Sequence, residues 1–80
     1  MPKYYFTFGY GHNPGIGYYT TIEAKDESDA RLEMTKHYPG KDGFGRWAFC
    51  YKSAEDAGVA KFGLQHVEPG FMFKEESSND

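Results

Sequence analysis

Two glycine-rich stretches hold the residues of this chain best suited to chemistry. The first, Gly9-Tyr-Gly-His-Asn-Pro-Gly-Ile-Gly17, sets Tyr10, His12 and Asn13 among four glycines and a proline. Backbone N–H groups in such a loop can cradle an anion, the imidazole and amide can hydrogen-bond it, and the tyrosine ring can stack on a base. The second, Gly40-Lys-Asp-Gly-Phe-Gly45, leads into Arg46. Lys41 and Arg46 could receive a phosphate or carboxylate there, the guanidinium fork matching both. Tyr10, His12, Asn13, Lys41 and Arg46 together make a candidate site for a small nucleotide signal, bound between subunits by a chain acting as a sponge. Neither stretch carries a phosphate fingerprint. There is no Gly-Lys-Ser/Thr, and the first stretch leads to a strand rather than to a helix N-terminus. A hairpin loop and a solvated turn are the simpler readings.

The remaining reactive types do not converge on a reaction. His12, His37 and His66 lie at no metal-ligand spacing, so no metal is expected. Cys50 sits between Phe49 and Tyr51, where it reads as a small buried hydrophobe without a basic neighbour to draw off its proton. Glu23 with His12 across a hairpin would be an acid–base pair resting on no motif. The expectation is a protein that is not an enzyme and needs no cofactor.

The elements that must position these residues follow from periodicity. Lys3 to Phe8 reads as a strand with Tyr4, Phe6 and Phe8 on one face; the bulk on both faces places it inside a sheet. A second strand spans about 17–24, with Ile22 and Ala24 facing one way and Tyr19 and Thr21 the other. Asp26 is suited to cap a helix whose apolar stripe is Ala30, Met34 and Tyr38, ended by Pro39-Gly40. Arg46 to Lys52 alternates, Trp47, Phe49 and Tyr51 against Ala48 and Cys50, as a third strand. Ser53 caps a short helix over 54–62 closed by Gly63, and 64–68 is a fourth strand. Pro69-Gly70 turns the chain into Phe71-Met-Phe73. The order β-β-α-β-α-β predicts an α+β domain over residues 1–73, one small sheet with two helices packed on one face. Residues 74–80 read as a disordered acidic tail.

Eighty residues form a thin core, and this chain has seven Phe, seven Tyr and one Trp to place. Leu32 lies about 200° round the helix from Ala30, Phe44 sits in a loop, and Phe71, Met72 and Phe73 are near the end. With Tyr5 and Tyr19 on the outer sheet face, these seven are the candidate partner-binding residues, since aromatics and methionine are favoured interface anchors. A homodimer is a further expectation. A net charge of −3 argues against a nucleic-acid coat, although an aromatic sheet can serve as a stacking platform, which leaves a nucleic-acid-binding module as a lesser alternative. One cysteine and no membrane-length apolar run point to an intracellular, non-membrane protein.

Tyr4-Tyr-Phe-Thr-Phe-Gly9, Ile22-Glu-Ala with Ala30-Arg and Met34, and Trp47-Ala-Phe with Tyr51 together resemble a group of small proteins encoded by bacteriophages and prophages. The likeness runs to about Val67 and departs at the glycine-rich stretch from Lys41 to Gly45. It carries no catalytic residues. What it implies is context: the cytoplasm of an infected bacterium, and a counter-defence inhibitor, anti-CRISPR-like, that binds a host defence protein by direct contact.

Overall fold

The computed structural model describes residues 1–8, 15–39 and 48–73. Their elements follow the expected order: β1 (Lys3–Thr7), β2 (Tyr18–Glu23), α1 (Glu27–His37), β3 (Phe49–Tyr51), α2 (Ala54–Ala57) and β4 (Gln65–His66). The class is α+β, with one sheet ordered β3-β1-β2-β4. β1 runs antiparallel to both β2 and β3, whereas β4 runs parallel to β2. The doubly bulky β1 is therefore an inner strand, hydrogen-bonded on both edges, with Tyr4 and Phe6 buried on one face and Tyr5 and Thr7 half-buried on the other.

The alternation of β1 decides where the core sits. Tyr4 stands opposite Ile22 and Phe6 opposite Thr20, and this face turns toward α1. Ala30, Met34 and Tyr38 of the helical stripe are all buried against it. Phe6 and Met34 are wholly buried and Phe8 is nearly so. Each such side chain contributes about 1.5–3 kcal/mol on leaving water. Asp26 caps the helix as expected, its carboxylate accepting the Asp29 N–H at 2.8 Å.

Two expectations are corrected. The helix foreseen over 54–62 stops at Ala57, because Gly58 takes a left-handed φ of 79°. Its N–H donates to Glu55 O and that of Val59 to Ala54 O, a Schellman closure. Gly63, at φ 64°, repeats the device: its N–H donates to Ala60 O and that of Leu64 to Val59 O. Two single turns, each shut by a glycine, replace one helix.

The second correction concerns sides. α2 touches β1 and β3, and Ala57 shares a cleft with Thr7, Phe49 and Tyr51, which point away from α1. The two helices thus lie on opposite faces instead of one. Chirality explains it. β2, β3 and β4 are parallel to one another, and the chain crosses from β2 to β3 in one direction and from β3 to β4 in the other. A right-handed connection each time requires opposite faces.

Candidate functional site

The face turned away from α1 collects the side chains that the core leaves over. The register places Lys3, Tyr5 and Thr7 of β1 there, with Tyr19, Thr21 and Glu23 of β2, Phe49 and Tyr51 of β3, and His66 of β4. Tyr51 stands opposite Tyr5. The Tyr5 and Tyr19 rings stack with centroids 6.2 Å apart, and Tyr19 meets the His66 ring edge-on at 5.3 Å. An aromatic row with polar tips therefore crosses all four strands. A stacking reading would rest on this row, but Lys3 on the same face stands opposite Glu23.

At one end of the row the face is overhung by residues 57–64. Between them and the sheet is a cleft of about 390 Å³, lined among others by Thr7, Phe8, Ile16, Phe49, Phe62 and Leu64, with Tyr18, Tyr51 and Ala57. Three large apolar side chains on its wall remain open to water: Ile16 at 42%, Phe49 at 41% and Phe62 at 67% exposed. Phe62 is the most exposed of the three. It lies against the backbone of Gly58, so close that a β-carbon there would stand 2.5 Å from the ring. The left-handed glycine both ends α2 and makes room for the ring.

No family model, curated protein or solved structure matches the chain.

Cys50 faces α1; burial pushes its thiol above the ordinary value, and the Glu27 carboxylate adds to this. A thiol held protonated is a poor nucleophile. Burial likewise raises the Tyr38 phenol, whose hydroxyl donates to Phe71 O at 3.0 Å. A second cleft, of about 350 Å³, is lined by Glu23, Asp29, Glu33 and His37 among others. Glu33 there is paired with Lys36, and Asp29 belongs to the first turn of α1, where the dipole favours acid. Among the described residues no group of three or more His, Cys, Asp or Glu is placed to hold a metal, and no helix is long and apolar enough to cross a membrane.

The seven residues expected to bind a partner do not form one patch. Tyr5 and Tyr19 share the outer face, whereas Leu32, 55% exposed, is on α1 across the sheet. Phe71 and Met72 are exposed, on a segment tied to the end of α1 through Tyr38. Phe73 is a correction: its ring packs edge-on against Phe8 at 5.0 Å and tilts against Tyr18 at 5.3 Å, so the chain's own core uses it. Phe44, Tyr10, His12, Asn13, Lys41 and Arg46 lie outside the described residues. The described flanks of their two stretches, Phe8 and Ala48, follow and precede the paired residues Thr7 and Phe49, at one end of the sheet.

Ile16, Phe49, Phe62 and His66 were missed as site residues. The alternation of 49 and 51 with 48 and 50 was visible, and handedness could have put the 54–64 connection over the same face as Phe49. Nothing local marks Ile16.

Proposed function

We propose that this chain is a non-catalytic binding protein that holds another protein against the outer face of its sheet. In keeping with the likeness to small phage-encoded proteins, the partner is a component of a bacterial host, a defence protein being the leading case. The observation that carries this reading is Phe62: a large apolar ring, two-thirds exposed, lying against Gly58 on the wall of an apolar cleft. Aromatic anchors in an apolar cleft beside a polar rim dominate interface energies. Tyr5, Tyr19, Tyr51 and His66 supply that rim.

The test is capture from a bacterial lysate on the immobilised chain. One protein should be retained in stoichiometric amount. Phe62→Ala should weaken its retention by about thirtyfold or more, the scale of a hot-spot residue. Leu32→Ala, on the far side of the sheet, should leave it unchanged. Retention that ignores Phe62→Ala and Phe49→Ala alike overturns the reading.

A further inference from the structure

Among the described residues, one charge lies beside the Phe62 wall of the cleft. The Nζ of Lys61 lies 5.4 Å from the centroid of the Phe62 ring, which forms part of the wall. The ion pairs among the described residues are Arg31–Glu27 and Lys36–Glu33, both within α1, so no described carboxylate neutralises Lys61. The wall itself carries no charged side chain among the described residues; its hydroxyl-bearing residues are Thr7, Tyr18 and Tyr51. At about 390 Å³ the space falls in the range that receives small organic groups.

This arrangement discriminates among occupants by charge. An apolar group entering the cleft displaces water from beside the ammonium. An anion attached to that group replaces the lost hydration, a neutral group leaves it uncompensated, and a cation meets like charge.

We propose that the cleft takes an aromatic or branched aliphatic group with a carboxylate close by, the apolar part against Phe49, Phe62 and Leu64 and the carboxylate at Lys61. On a protein partner this is a large apolar side chain beside an Asp, a Glu or a terminal carboxylate. The inference rests on the reading of the outer face as the binding surface and specifies what that surface selects.

The test needs no partner. The isotopically labelled full chain is titrated at low salt with 2-naphthoate, its neutral amide and 2-naphthylmethylammonium, following backbone amide shifts. Naphthoate should move the amides of Phe49, Ala57, Phe62 and Leu64 but not that of Leu32. It should bind about fivefold more tightly than the amide, the size of one exposed charge contact, and more tightly still than the ammonium. Lys61→Gln should abolish the preference, and Lys52→Gln should keep it. Absence of shifts at the cleft, equal binding of the three probes, or a preference that survives Lys61→Gln each overturns the proposal. Lysate capture lost with Phe62→Ala would still stand in that event, so the two readings fail separately.

Discussion

A β-carbon at position 58 would stand 2.5 Å from Cδ2 of Phe62, and the backbone there has φ 79°. Gly58→Ala therefore meets two penalties. The left-handed conformation costs about 1–2 kcal/mol for any residue with a β-carbon, and the ring must leave its seat. Chemical denaturation should show a loss of at least about 1 kcal/mol, with altered shifts for the Phe62 ring. An unchanged ring environment would mean that Gly58 does not position it.

Thr20 stands opposite Phe6 with no exposed surface, and its Oγ1 has no hydrogen-bond partner among the described residues. A buried hydroxyl left unpaired costs about 1–3 kcal/mol relative to an apolar group of the same shape. Thr20→Val should accordingly stabilise the protein, raising the urea midpoint at constant slope. A fall in midpoint would show that the hydroxyl is satisfied in solution.

Met34 and Leu32 are two positions apart on α1, and one is wholly buried while the other is 55% exposed. Met34→Ala should cost about 2–5 kcal/mol through lost burial and the cavity left behind. A domain of this length has roughly 4–12 kcal/mol in total, so the variant should lose a large fraction of its stability, read as a lower urea midpoint. Leu32→Ala should fall within about 0.5 kcal/mol of the parent, as surface changes do. Similar losses from both would mean that Leu32 is covered in solution, as it would be in a dimer through α1.

Burial raises the pKa of the Tyr38 phenol. A group with its folded pKa above the unfolded value binds its proton more tightly when folded. Its contribution is complete below the unfolded pKa, about 10, and is lost as pH rises through the folded one. Stability should fall at alkaline pH, and Tyr38→Phe should flatten that part of the profile. At neutral pH the same variant should cost about 0.5–1.5 kcal/mol for the hydrogen bond to Phe71 O. An alkaline slope unaltered by the substitution would assign it to another group.

Local signals of the sequence were legible because they act through neighbours. Asp26 is three residues from the N–H it accepts, the stripe Ala30, Met34 and Tyr38 follows one helical face, and Ala48 and Cys50 point opposite to Phe49 and Tyr51. Pro69-Gly70 also turns as foreseen, with Gly70 at φ 90° and the Phe71 N–H donating to Glu68 O. Gly58 falls inside the helix expected over 54–62 because glycine's composition signal is the same in a helix interior and at a terminus. The seat of Phe73 on Phe8 and Tyr18, and the side taken by α2, depend on how distant segments return over the sheet. That information lies in topology and handedness, and no window of neighbouring residues contains it.

β4 has two residues, and it is fastened to β2 by the Gln65 N–H on Gly17 O and the Val67 N–H on Tyr19 O, across more than forty positions of chain. So brief a flank is where local opening should begin, ahead of the strands beside it. When it lifts, the carbonyls of Gly17 and Tyr19 become a bare template for foreign strands. The form of this protein most inclined to clump is then a three-stranded relative of the native one, with α1 and its buried stripe still in place.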